Sequence, residues 1–293
     1  MKTNRATITV SGAICTWLLA GYGVEAQNLL ATVYTNIYEI TPAGDITTYP
    51  TPGTGRGLAF DSNGNLFMAE IGGNILEIAA SGAQSTFTSQ AGDPTDLAFN
   101  GKGNLFQIDH NGNIFEYAPN GQQSTFATGL SEPEGLAFNA AGDLFVSGGN
   151  QSGYIYEYTP AGVQSTFTTD VDNPLGLAFN SAGDLFEADA NSGNIYEFTP
   201  EGVRSTFATG LPNVVTALAF NTAGDLFAGT HNDIYEFTPD GTETDFATNT
   251  RVAGLAFQDE TLPVPEPSTC ALFGSGLLAL VVSLHKNRKS ARP

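Results

Sequence analysis

The sequence predicts an all-β, six-bladed β-propeller. Three observations lead there: a phrase recurring about every forty residues, strand-like alternation inside each recurrence, and a first repeat that begins out of phase. The phrase is Leu-Ala-Phe, ending at Phe60, Phe99, Phe138, Phe179, Phe220 and Phe257, in steps of 39, 39, 41, 41 and 37 residues. Four short strands in about forty residues make one propeller blade. Helical solenoids of similar period need helix formers and few glycines, whereas this chain carries 34 glycines.

The first 26 residues read as a secretory leader. Lys2 and Arg5 give a positive start, residues 6–20 are mostly apolar or small, and Val24-Glu25-Ala26 offers small residues for cleavage before Gln27. Cys15 lies inside this leader without a lipidation motif around it. Within each repeat, Leu-Ala-Phe is the first strand. A Gly-Asn/Asp-Leu-Phe phrase opens the second, reaching Phe67, Phe106, Phe145, Phe186 and Phe227. An Ile-aromatic-Glu phrase, as in Ile195-Tyr196-Glu197, is the third, and Ser-Thr-Phe, as in Ser124-Thr125-Phe126, is the fourth. Each phrase alternates apolar and polar residues between turn formers, the pattern of a half-buried strand. Turns such as Asn180-Ser181-Ala182-Gly183-Asp184 and Thr199-Pro200-Glu201-Gly202 join them, proline presetting φ and glycine supplying positive φ. Nineteen of the 20 phenylalanines fall in these slots, which makes them core between blades. The six glutamates of the third strand, Glu39, Glu77, Glu116, Glu157, Glu197 and Glu236, occur in every blade and read as solvated or cross-strand residues.

The ring is expected to close on itself. Residues 28–39 align without gaps to residues 225–236, so the N-terminal strands (28–50) supply the second, third and fourth strands of a blade. The strand at 254–257 supplies its first. Residues 27–260 then form one propeller whose closure removes exposed sheet edges.

Residues 261–269 form a proline-rich linker holding Pro265-Glu266-Pro267. An uncharged apolar run follows at 270–284, and a basic tail at 285–293 with Lys286, Arg288 and Lys289. The run is shorter than the roughly 20 residues of an untilted membrane span, and the tail would stay cytoplasmic. Motif, run and tail together resemble the PEP-CTERM sorting signal. The resemblance implies export by the general secretory machinery and a transmembrane helix at 270–284 that anchors the chain. It implies recognition by an exosortase, in a Gram-negative bacterium that makes extracellular polysaccharide, and removal of the tail. The final location is then the cell surface or the extracellular space.

Between residues 27 and 262 there are 28 acidic side chains against four cations, Arg56, Lys102, Arg204 and Arg251, so the body carries a net charge of −24. That excludes a nucleic-acid partner and passive docking onto anionic lipid. The two cysteines, Cys15 and Cys270, both lie outside the body, which therefore needs no disulfide.

The text Ile40-Thr41-Pro42-Ala43-Gly44-Asp45, then Gly57-Leu58-Ala59-Phe60 and Gly64-Asn65-Leu66-Phe67-Met68-Ala69-Glu70, resembles the streptogramin (virginiamycin B) lyase branch of six-bladed propellers. The segment Ala188-Asp189-Ala190-Asn191-Ser192-Gly193-Asn194-Ile195-Tyr196 is similar to NHL repeats and to the gluconolactonase/regucalcin family. These resemblances imply a divalent metal, and in the lyases a histidine and a glutamate, at one mouth of the central channel.

Topology places two sets of residues at that mouth. Three positions past the second-strand phenylalanines come Glu70, Asp109, Gly148, Asp189 and Thr230, with Val33 in the last blade. Just before the first strands come Arg56, Asp96, Glu134, Leu175, Thr216 and Ala253. Glu70, Asp109, Glu134 and Asp189, with Asp96, are oxygen donors of the kind calcium or magnesium takes. The competing reading is that Asp109 and Asp189 cap turns and the others are solvated. The body's histidines, His110 and His231, stand on blades two and five, too far apart to serve one small substrate. The asparagine expected before the first strand in gluconolactonase-like proteins is missing from the matching slots. We also expect no basic residue paired with an acid near the mouth, no Ser-His arrangement and no nucleophile. The chain therefore reads as a non-catalytic surface or matrix protein that binds polysaccharide or an envelope protein. The alternative is a metal-dependent lyase or lactone hydrolase at the acidic mouth.

Overall fold

A computed structural model describes residues 27–149, 153–212 and 214–258; the leader, the linker, the apolar run and the basic tail lie outside the described residues. Among the described residues no helix is long and apolar enough to cross a membrane. The chain forms six four-stranded antiparallel sheets. The closing blade comprises β1 (Leu29–Val33), β2 (Asn36–Ile40), β3 (Ile46–Pro50) and β24 (Gly254–Phe257). Blade one is β4 (Gly55–Phe60), β5 (Leu66–Glu70), β6 (Asn74–Ile78) and β7 (Gln84–Thr88). Blade two is β8 (Pro94–Phe99), β9 (Leu105–Asp109), β10 (Asn113–Tyr117) and β11 (Gln123–Thr128). Blade three is β12 (Pro133–Phe138), β13 (Leu144–Gly148), β14 (Tyr154–Tyr158) and β15 (Gln164–Thr168). Blade four is β16 (Pro174–Phe179), β17 (Leu185–Asp189), β18 (Asn194–Phe198) and β19 (Arg204–Ala208). Blade five is β20 (Val215–Phe220), β21 (Leu226–Thr230), β22 (Asp233–Phe237) and β23 (Glu243–Thr248).

Closure follows the expected pairing. β1 lies between β2 and β24, with Leu29 opposite Phe257 and Ala31 opposite Leu255. Gln27 locks the seam: its Nε2 donates to the Gln258 carbonyl at 3.0 Å, and its Oε1 accepts from the Thr222 amide of blade five at 2.9 Å.

The phenylalanines join the blades. Phe145 of β13 meets Phe167 of its own blade and Phe179 of the next edge-on, with ring centroids 5.2 and 5.0 Å apart. Phe67, Phe106, Phe186 and Phe227 repeat this triad. Edge-to-face contact sets the electropositive rim of one ring against the π face of another. A β-bulge sets each triad. In blade three Ile155 pairs with Thr168 and Tyr156 with Thr166, so Phe167 is skipped and turned into the joint. The same skip occurs at Phe87, Phe126, Phe207 and Phe246. In the closing blade β2 and β3 pair without a break, and Tyr49, which fills the equivalent slot, stays opposite Ile37 and exposed. Its joint to blade one is instead built from Leu30, Ile37, Leu58 and Phe60.

The turns behave as their residues require. Asn180 Oδ1 accepts the Ala182 and Asp184 amides at 2.9 Å, and Gly183 takes φ +93°, where a side chain would strain the backbone. Several of the repeated glutamates meet cross-strand or neighbouring partners: Glu116 accepts from Asn104 at 2.6 Å and Glu197 from Ser205 at 3.3 Å.

Candidate functional site

The loops joining second to third strands, and those leading into each first strand, gather on one face of the ring and form a mouth. Residue size controls the channel beneath it. One position ahead of the Leu-Ala-Phe leucines stand Gly57, Asp96, Gly135, Gly176, Ala217 and Gly254. A Cβ added at Gly57 would lie 2.6 Å from the Asp96 Cα, and one at Gly176 would lie 2.9 Å from the Ala217 Cα. The inner strands thus approach so closely that small residues are required, and Asp96 is the one ionisable group in this slot.

This corrects the sequence register. Asp96 does not align with Arg56 and Glu134. Leu97 pairs with Gln107 and Asp96 with Ile108, as Leu136 pairs with Val146 and Gly135 with Ser147, so Thr95 holds the Arg56 position. A carboxylate has entered a glycine slot.

Three blades build a polar cluster around it. Arg56 at the top of β4 donates Nη1 to Asp93 Oδ1 at 3.1 Å and to the Pro94 carbonyl at 3.2 Å. His110 Nε2 lies 3.9 Å from Asp93 Oδ2. The expectation of no base–acid pair near the mouth was therefore wrong. Arg56 and Asp93 stand about one repeat apart, so they belong to adjacent blades, and that spacing was the missed signal. Glu134 at the start of β12 adds a carboxyl whose pKa burial raises; His110 and Arg56 oppose the rise and Glu132 adds to it. Asp96 accepts the Leu97 amide on Oδ1 at 2.9 Å and the Leu136 amide of blade three on Oδ2 at 3.0 Å. Desolvation outweighs both bonds and, helped by Glu134, pushes its pKa to about 7. Asp96, with its proton held to about pH 7, and Glu134, raised by burial beside His110 and Arg56, are the groups of this cluster that could pass a proton.

The four expected metal ligands sit apart. Asp109 is buried and accepts the Asn111 and Asn113 amides and the Asn113 side chain. Asp189, also buried, accepts from the Ser192 amide and hydroxyl and from the Asp172 amide. Burial would raise the Asp189 pKa, but these hydrogen bonds and one from Asn173 hold it below the ordinary value. Glu70 accepts from Asn74 Nδ2 on Oε2 at 3.1 Å, while its buried Oε1 has no partner. Glu134 belongs to the cluster above. Among the described residues no three His, Cys, Asp or Glu side chains converge as a metal-holding group. The residues present thus fit poorly to calcium, which takes six to eight oxygens.

Glu187 escaped sequence reasoning. It is fully buried and neither carboxylate oxygen has a hydrogen-bond partner. Burial, aided by Asp189 and opposed by Arg204, pushes its pKa to about 9. The signal was available: Glu187 follows a second-strand phenylalanine, where other blades hold Ala31, Met68, Gln107, Val146 and Ala228.

Residues 263–289 match the PEP-CTERM protein-sorting motif, which marks an exported protein. A comparison with the curated proteins finds no match. Among solved structures, the gluconolactonase from Xanthomonas campestris is similar with a TM-score of 0.64 at 14% identity, covering 80% of this chain and 91% of that one. Virginiamycin B lyase from Staphylococcus aureus gives 0.60 at 18% identity, covering 74% and 79%. The calcium-binding protein regucalcin from Agrobacterium tumefaciens gives 0.55 at 17% identity, covering 65% and 72%. At these identities the likeness is one of fold.

Proposed function

We propose that this chain is an exported propeller, handed to an exosortase through Pro265-Glu266-Pro267, that binds polysaccharide at the cell surface or in the extracellular matrix without catalysis. The secretory machinery would carry it across the inner membrane, residues 270–284 would hold it there, and cleavage would release it. The observation that favours a binding surface over a metal-dependent enzyme is the use of the mouth's acids. Asp109 accepts from its own turn, and Asp189 from its own turn and from the Asp172 amide, so both shape a rigid rim. In cells lacking the exosortase the protein should remain uncut in the membrane; normal processing there removes the sorting half. The exported protein should bind polysaccharide and leave streptogramins and sugar lactones intact, with and without millimolar magnesium or calcium.

One observation favours a second reading, a lyase or lactone hydrolase. Asp96, Glu134 and His110 together could move a proton, with Arg56 steadying a developing negative charge. Turnover that disappears in Glu134→Gln would establish that reading in place of the first. Calorimetry with calcium and magnesium tests whether Glu70, Asp109, Glu134 or Asp189 holds a cation.

A further inference from the structure

We propose that the mouth carries a stacking track for a neutral, hydroxyl-rich polymer, centred on Tyr34 and separate from the acidic cluster. This rests on the polysaccharide-binding reading and names the surface and the ligand class. Tyr34 is the first residue of the two-residue turn between β1 and β2, with φ at +54° and 55% of its surface exposed. Such a backbone favours glycine or asparagine, and a bulky residue there costs about 1–3 kcal/mol. The ring is nevertheless held in place. Arg251 Nη1 donates to Tyr34 Oη at 2.9 Å, and the Arg251 guanidinium carbon lies 5.3 Å from the ring centroid. An exposed aromatic ring, strained in its backbone and braced by a cation, is preorganised to receive a ligand.

Backbone bonds tie Tyr34 into a continuous strip. Its carbonyl accepts the Gly55 amide at 2.9 Å, and the adjoining Thr54 carbonyl accepts the amide of Ile71, another exposed apolar side chain, at 2.9 Å. On the other side, the Thr250 amide donates to Asn232 and the Val252 amide to Thr230, at 2.6 and 3.0 Å. The segment carrying Arg251 therefore clasps the loop that carries His231. His231 in turn lines a groove of about 380 Å³ with Asn191, Ser192, Leu211, Pro212 and Val214. The groove is shallow and open, and its lining is mainly polar. The track thus runs from blade four, past His231 and Arg251, over Tyr34 to Ile71 of blade one.

The occupant follows from chemistry. The C–H face of a pyranose ring is apolar with a slightly positive edge, which suits the negative π face of Tyr34. Arg251, His231, Asn191 and Ser192 offer hydrogen bonds to hydroxyls. The net charge of −24 on the body repels acidic polymers, which selects a neutral one. The track crosses four blades, so a chain of sugars fits it better than one.

Affinity electrophoresis of the exported protein, through gels containing dextran, galactomannan or alginate, tests this. A neutral glycan should retard the wild-type protein. Tyr34→Asn, which relieves the turn and should keep or raise Tm, should weaken that binding about tenfold. Tyr34→Phe should retain most of it. If wild type and Tyr34→Asn are retarded equally, the track is wrong and the binding function stands. If none of the three glycans retards the wild-type protein, both fall. Retardation by alginate alone overturns the neutral-ligand track and leaves polysaccharide binding standing.

Discussion

Asp96 and Glu187 show what one carboxyl does inside a repeat designed around small and apolar side chains. Both hold their protons to higher pH in the fold than when unfolded, with ordinary values of 3.8 and 4.5 raised to about 7 and about 9. For an acid with a raised folded pKa, stability is fully present below the unfolded value and is lost as pH climbs through the folded one. The protein should therefore lose stability from about pH 4 upward, and between pH 7 and 9 the loss from this pair belongs to Glu187. Its share there is on the order of 3 kcal/mol. Glu187→Met copies blade one, where Met68 fills the slot, and should flatten the urea midpoint between pH 7 and 9 while raising it at pH 8. Asp96→Gly copies blades one, three and four and should reduce the slope between about pH 4 and 7 to the part that Glu187 contributes. A midpoint that falls just as steeply in both variants would show that these carboxyls stay ionised in the fold.

The blade is the element in which side-chain rules become architecture. Its strands were legible because each phrase alternates between turn formers, and the second strands, buried from end to end, carry the joint phenylalanines. The bulge was illegible. Ser-Thr-Phe alternates normally, and nothing in its letters says that pairing will skip the phenylalanine and aim it at the next blade. Asp96 in the glycine slot was legible by counting back one residue from Leu97, and the Arg56–Asp93 pair by its spacing of about one repeat; only the contacts they make depend on register between blades. The bulge makes two aromatic positions unequal. Phe145→Ala should cost about 3–5 kcal/mol in urea unfolding, because it empties a triad spanning two blades. Tyr49→Ala, in the unbulged strand with its hydroxyl on Glu39, should change stability by about 0.5 kcal/mol. Equal costs would mean that the exposed ring is packed and the bulge has no energetic role.

At the scale of the whole molecule, stability resides in a closed cycle of joints, so the point where the chain begins should matter little and the presence of every strand should matter greatly. The described ends already touch: Gln27 and Gln258 share a hydrogen bond, and each joint contacts only its neighbours. A circular permutant joining residue 258 to residue 27 through a short Gly-Ser linker, reopened at the exposed turn between Asp240 and Gly241, keeps all 24 strands in their pairings. Its losses are the turn hydrogen bonds from the Gly241 amide to Thr238 and from the Thr242 amide to Asp240, with some order at two new termini, a cost of about 1–2 kcal/mol, or a few degrees in Tm for a domain of this size. Removing residues 254–257 is a different injury. It strips Ala31 and Leu29 of their partners, opens the β1 edge and exposes the cluster that holds Leu255 against blade five. The permutant should unfold in one cooperative step close to the parent, whereas the truncated chain should melt early and broadly or aggregate. Calorimetry of the two proteins separates these outcomes, and a truncated chain as stable and cooperative as the parent would show that the ring does not depend on its seam.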